Sequence, residues 1–422
     1  MSTITKNIVI LLTGSGFSQL IPFIVLPILS RLYTSDDFGD LSLYVNVVSI
    51  LVIIATGRFE EAILLPKKDS TSSYIMLGSI IAATIFSILI LLLAIIIKYF
   101  VFSIYPADNI SKWVLLVPIS VFSISIYNVL SMFANRYRLY KYMSIGGFVK
   151  SAVTSIIKIG GGVKKLGAIG LVIGNVFGNI SSALFISIIC YRFKGYQLKY
   201  ISLKKIRKAL NIYTDFPKYN MPREIINSVS GSLPIFIFYK YFGNSVTGLY
   251  AMALALSYIP IQIFVQTIYQ VYSEKIINDY NKRRAISKSI YKLIKIIALT
   301  FVVPFILIAI FAPNITVFIL GDKWLESGII LQYLIPWHFV ALVSKPIAFM
   351  PMLANKLKLE MIIDIILLIL RIIALFIGVV LHDYYYSIVL FSITSVIILG
   401  IELRWFIYLA KKLDQKTLKL NT

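Results

Sequence analysis

The chain of 422 residues contains one cysteine, Cys190, and two histidines, His338 and His382. A single thiol excludes an internal disulfide and any metal site built from several cysteines. The histidines stand too far apart for a His-x-x-x-His zinc helix. Charge is also scarce: Asp, Glu, Lys and Arg supply 14% of residues, against about 25% in ordinary soluble domains. Acids are the scarcer sign, 18 against 41 basic residues, for a net charge of +23. Hydrophobic residues, by contrast, make up 59%, and mean hydropathy is +0.88. A soluble fold has too much surface for its volume to hide so large an apolar fraction. Lipid must be the solvent for most of the chain. Basic excess then reads as a topology signal on cytoplasmic loops, and no nucleic-acid partner is expected. Gly14-Ser15-Gly16 and the triple glycine at 160 lack a preceding strand and a following Lys-Ser/Thr, so they are not phosphate loops. No cofactor, metal site or ATPase chemistry is expected. No cleavable signal peptide is expected either: the first apolar run starts near Asn7, lacks an Ala-x-Ala-like site and continues past Pro22 and Pro27 to Arg31.

A bilayer core of roughly 30 Å needs about 20 apolar residues in a helix. That ruler predicts twelve spans, near 8–30, 39–65, 74–104, 113–134, 143–163, 166–191, 216–240, 247–272, 290–312, 327–354, 359–381 and 385–410. With the N-terminus inside, the even-numbered loops carry Lys67 and Lys68, Arg136, Arg138 and Lys141, and the dense series Arg192 to Lys208. Later even loops carry Lys282, Arg283, Arg284 and Lys288, then Lys356 and Lys358, and the C-terminal lysines. The odd loops offer Arg31, Lys112, Lys164, Lys165 and Lys323. This asymmetry predicts both termini in the cytoplasm. Heavy Ile and Lys usage suggests an AT-rich bacterial genome, and hence the inner (plasma) membrane.

The polar stretch 192–215 divides the chain into an N-terminal bundle, 1–191, and a C-terminal bundle, 216–422, each of six helices. The halves echo one another: TSDDFGDLSLY from Thr34 follows a Pro-containing span, and FGNSVTGLY from Phe242 follows another. Parallel repeats of this kind are a transporter plan.

Several ordered stretches resemble the Wzx-type O-antigen flippases of the multidrug/oligosaccharidyl-lipid/polysaccharide (MOP) exporter superfamily. They are LSRLYTSDDFG from Leu29, ATGRFEEAILLP from Ala55, FPKYNMP from Phe216, NSVSGSLP from Asn227, GLY from Gly248, QTIYQV from Gln266 and GDKW from Gly321, with Lys345-Pro346 downstream. The resemblance covers nearly the whole chain. It implies an all-α membrane protein of two six-helix bundles, alternating access through a central cavity, and a polyprenyl-pyrophosphate-linked oligosaccharide as cargo.

Ionisable residues inside a bilayer are costly, and each is a functional candidate. Counted from the cytoplasmic ends of their spans, Arg58, Lys150, Arg223 and Lys345 lie seven to nine residues in, which at 1.5 Å per residue is roughly 10–14 Å deep. Four cations at one level would attract the pyrophosphate of a lipid carrier. For each, a structural role stands beside the functional one. Arg58 has Glu61 at i+3, Arg223 adjoins Glu224, and Lys150 is able to snorkel. Lys158 lies nearer the outer face, and Arg31 follows the first span. Gln262, Gln266 and Gln270 form one stripe at i, i+4 and i+8, suited either to sugar hydroxyls or to helix association. Asp364 and Arg371, seven apart, suggest a structural pair.

An enzyme working at the outer face would need larger polar loops than 313–326, whose acids are Asp322 and Glu326, so no enzymatic activity is expected. A drug/cation antiporter would call for acidic cavity residues. A flippase for the peptidoglycan lipid precursor shares the pyrophosphate and stays open. The expected partners are the lipid-linked oligosaccharide and the bilayer, with a coupling cation and a polysaccharide polymerase as further possibilities.

Overall fold

The computed structural model describes residues 20–101, 108–193 and 202–419. The start of the first expected span, Gly14-Ser15-Gly16 and part of the basic stretch 192–215 lie outside them. The described residues contain no strand. The principal helices are α1 (Leu20–Leu32), α2 (Ser35–Thr56), α3 (Asp69–Ile96), α4 (Val117–Arg136), α5 (Tyr140–Val163), α6 (Ala168–Arg192) and α7 (Leu203–Ile212). They continue with α8 (Met221–Tyr241), α9 (Gly243–Asn281), α10 (Ser287–Leu320), α11 (Leu325–Ser344), α12 (Leu357–Val380) and α13 (Tyr384–Lys419). Among the described residues a helix thus falls within each expected span interval. Among the described residues, eight helices are long and apolar enough to cross a membrane.

The chain forms two compact units that meet in sequence inside α8, at Ile235/Phe236. In the first unit the apolar window of α3 is only 17% buried, against 56% for α2. Ile85, Leu89 and Leu92 are correspondingly exposed along α3, which is the surface expected against acyl chains. In the second unit α10 takes the outer place (17% buried) and the segment containing α11 the inner one (61%).

Helix contacts in the first unit depend on small residues, as is usual where lipid removes the hydrophobic drive between helices. Gly170, Gly174 and Gly178 recur every four residues along one face of α6. A Cβ on Gly174 would meet Lys158 Cγ, and one on Gly178 would collide with the Thr154 hydroxyl of α5. Gly161 in turn lies against Gly170. Within the triple glycine, Gly161 therefore belongs to a close antiparallel pairing of α5 with α6, while Gly162 lies against Leu32 and Tyr33; Lys150 and Lys158 lie on the same paired region. Tyr33, just past α1, donates its hydroxyl to the Lys158 carbonyl at 2.6 Å and ties the chain to this pair.

The TSDD segment is a helix start. The Thr34 side chain accepts from Asp37 N–H while the Asp37 carboxylate accepts from Thr34 N–H at 2.9 Å, closing a capping box. Cation-rich α7 lays Ile206 and Ala209 inward, and its Leu210 fills the space beside Gly78 of α3.

In the second unit buried Arg371 donates to Ser395 at 3.0 Å and lies over the rings of Trp337 and Phe391, 5.2 and 4.6 Å from their centroids. Asp414 of α13 accepts from the Ile286 and Ser287 N–H groups at 2.8 and 3.0 Å. It thereby supplies the anionic cap that the start of α10 needs. In GDKW, Gly321 takes φ 100° where α10 stops, and Trp324 is fully buried.

Candidate functional site

The turn after α2 is the first component. The expected span ran to residue 65, but the α-helix stops at Thr56, because Gly57 and Arg58 both adopt left-handed backbone, φ 57° and 59°. A 3-10 turn, Phe59–Leu64, follows. Residues 57–65 therefore do not continue the 1.5 Å ladder that set the expected depth of Arg58. The ladder fails at Lys345 too, since α11 ends at Ser344 and a 3-10 turn, Lys345–Ile347, succeeds it.

A left-handed arginine is unfavourable by roughly 1–2 kcal/mol, and local contacts must offset that cost. The Arg58 guanidinium forms an ion pair and hydrogen bond with Glu61 and reaches Glu60 at 3.7 Å. The other Glu61 oxygen accepts from Asn220 at 3.1 Å, in the Phe216–Asn220 turn of FPKYNMP that leads into α8. From the opposite side Arg136, at the end of α4, donates to the Ile63, Leu64 and Pro66 carbonyls at 3.2, 3.4 and 2.8 Å. The same guanidinium pairs with Asp69 at 2.8 Å. Beside it, burial and then the Asp69 carboxylate raise the Tyr137 phenol above its usual value, with Arg136 opposing. The ATGRFEEAILLP segment is thus a turn locked by two arginines.

Beside this turn the first unit forms a partly open cavity of about 400 Å³. Its aliphatic wall comes from α2, through Val45, Val48 and Val52, with Ile124 of α4. Its polar groups come from five helices: Ser49 of α2, Asn128 of α4, Lys150 of α5, Asn175 and Asn179 of α6, and Glu224 and Ser228 of α8. Arg58 lines it as well. Tyr44 is anchored at one side, its hydroxyl 2.7 Å from Ser120 Oγ and 3.2 Å from the Leu116 carbonyl. Asn179 donates to the same serine at 3.5 Å. Ser232 of α8 donates to Asn46 Oδ1 at 2.6 Å, fastening α8 to α2 nearby.

The lining groups divide by occupation. Arg58 already holds two carboxylates and Asn179 a serine. Asn128, Lys150, Asn175 and Glu224 have neither a hydrogen bond from their side chains nor an ion pair to any described residue. Free amides and charges are satisfied only by water or a ligand.

The structure therefore brings Arg58 and Lys150 to one cavity. Arg223 sits on α8 next to the lining Glu224. Lys158 is half-buried against Gly174, and Arg31 turns back to its own helix, donating to the Pro27 carbonyl at 2.7 Å. Lys345 belongs to the second unit, where it is exposed. On α9, in the same unit, Gln262 is half-buried and Gln266 exposed, while the side chain of Gln270 lies outside the described residues. The three asparagines, Ser49 and Ser228 were not singled out from the sequence. The available signal was Asn175 and Asn179, one turn apart within an apolar span.

Solved structures similar to this chain include transporters. One is the lipid II flippase MurJ in an inward closed conformation, with TM-score 0.69, 16% identity, and 97% of this chain and 91% of that chain covered. Others are a multidrug resistance MATE family transporter of the MOP superfamily, inward-facing (TM-score 0.64, 13% identity, 94% and 96% covered) and outward-facing (0.62, 14%, 97% and 96%). At these identities the likeness establishes the fold. No curated protein matches the sequence. The family model described as "Polysaccharide biosynthesis protein" matches residues 28–328. That match covers well over half of the chain, which therefore belongs to the polysaccharide biosynthesis protein family, built on the all-α fold of the MATE and MurJ transporters of the MOP superfamily.

Proposed function

We propose that the protein is a flippase that moves a polyprenyl-pyrophosphate-linked oligosaccharide repeat unit from the cytoplasmic to the outer leaflet by alternating access. The product would serve O-antigen or capsular polysaccharide synthesis. The observation that carries this reading is the polar cavity inside an apolar helical unit of a polysaccharide biosynthesis protein. Sugar hydroxyls both donate and accept, and carboxamides on an aliphatic wall complement them. A small hydrophobic cation would not need three asparagines.

The reading places the protein in the bacterial inner membrane with both termini in the cytoplasm, acting as a transporter and not as an enzyme. Its partners would be the lipid-linked saccharide, the bilayer and a downstream polymerase, with a cation supplying the drive. Of the cations expected to act, Lys150 lines the cavity with no carboxylate partner among the described residues, which leaves its charge to phosphate. Arg223, Lys345 and Lys158 are proposed as further contacts along the path, and Gln262, Gln266 and Gln270 as sugar contacts in the second unit.

Deleting the gene should abolish surface polysaccharide while lipid-linked repeats accumulate on the inner leaflet, scored by leaflet-specific enzymatic access. Unchanged surface polysaccharide together with new drug sensitivity would instead identify an antiporter.

A further inference from the structure

The cavity in the first unit is not uniformly basic. Glu60 and Glu61 hold the Arg58 charge, which leaves Lys150 and Glu224 as opposite charges, neither paired with any described residue. The free carboxamides of Asn128 and Asn175 share the cavity with them. A pyrophosphate alone would use the lysine and be repelled by the glutamate. A sugar alone would leave the ammonium unmatched.

We infer that this cavity is a sugar-phosphate subsite. Lys150 takes the phosphate attached to the first sugar of the cargo, and Glu224, Asn128 and Asn175 take that sugar's hydroxyls. The assignment rests on the proposed lipid-linked cargo. An ammonium offers only donors and suits phosphate oxygens; a carboxylate offers only acceptors and suits hydroxyls; the amides supply both. Val45, Val48 and Val52 give the C–H face of a pyranose an apolar floor. A volume of about 400 Å³ is at the small end of ligand pockets, roughly 300–1,000 Å³. It suits one sugar with its phosphate and not a whole repeat unit. Selectivity follows from Glu224: a uronic acid as first sugar would bring a second carboxylate against it and be rejected by repulsion, whereas a neutral or N-acetylated hexose is accepted.

The test uses the full chain in nanodiscs and ligand-observed magnetic resonance. The probes are glucose, galactose and N-acetylglucosamine 1-phosphates, glucuronic acid 1-phosphate, methyl glucoside and inorganic phosphate. At least one neutral hexose 1-phosphate should bind roughly tenfold more tightly than glucuronic acid 1-phosphate or inorganic phosphate. Lys150→Gln should reduce that ligand to the affinity of methyl glucoside. Glu224→Gln should bring glucuronic acid 1-phosphate to within about twofold of its neutral counterpart. Asn175→Ala, a second route should Glu224→Gln fail to fold, should weaken the hexose phosphate several-fold without altering inorganic phosphate. Equal affinity for the glucuronic and neutral probes, equal affinity for inorganic phosphate, or no binding by any hexose 1-phosphate would each overturn the subsite. If the subsite behaves as stated and gene deletion spares surface polysaccharide, the flippase reading falls alone. If deletion abolishes polysaccharide and the probes fail, only the subsite falls.

Discussion

Arg58 and Lys150 line the same cavity but stand in different electrostatic situations, and substitution should separate them. Arg58 balances Glu60, whose carboxylate is nearly inaccessible, and Glu61, which also holds Asn220. Removing Arg58 from this partly buried cluster leaves the inaccessible Glu60 carboxylate uncompensated. Arg58→Ala should therefore lower the yield and thermal stability of folded protein, with Arg58→Lys intermediate because the guanidinium fork is lost. Lys150→Gln, with no partner to strand, should leave the thermal midpoint nearly unchanged and reduce export per folded molecule. Equal loss of folded protein in both would refute the distinction. Arg136 provides a second case. Its planar group serves three carbonyls and Asp69 together, which one ammonium cannot do. Arg136→Lys should cost about 1–2 kcal/mol, a figure held down by the exposure of Asp69. Thermal unfolding in detergent would measure it.

At the scale of elements, the position of Lys150 depends on how closely α5 approaches α6. Gly174 and Gly178 make room for Lys158 and Thr154, and a Cβ at 178 would occupy the Thr154 hydroxyl. Gly178→Val should push the helices apart, displace Lys150 and abolish export. Thr154→Ala should partly restore a milder Gly178→Ala variant, since the two side chains compete for one space. Absence of such rescue would show that the glycine acts elsewhere. Capping gives a smaller effect. Thr34→Ala removes one half of the box at the start of α2 and should cost about 1 kcal/mol, read as a lower unfolding midpoint without a change in transport per folded molecule.

For the whole molecule, the asymmetry of basic loops predicts cytoplasmic termini and a cytoplasmic 192–215 segment. Reporter fusions at Lys208 and Thr422 should be active only with a cytoplasmic reporter. Periplasmic activity at either would require a different span count. Composition and apolar run length were enough to establish lipid as the solvent, an all-α fold, and a helix in every span interval, because a bilayer forces each crossing to satisfy its own backbone. The ordered motifs were legible as a family resemblance, and the match over 28–328 places the chain in a polysaccharide biosynthesis family. What those motifs do was decided by the folded chain. ATGRFEEAILLP reads as the end of a span because its hydropathy stays high, yet Gly57 and Arg58 turn it, and a distant arginine, Arg136, holds it. Depth counted along a helix therefore grouped four cations by sequence, although Lys345 belongs to the second unit and Arg58 is already neutralised. Asparagines 128, 175 and 179 are unremarkable singly in apolar runs. They become a lining only where α4 and α6 pack beside α2, since a polar group's partner is a matter of neighbours in space and not of position along the chain.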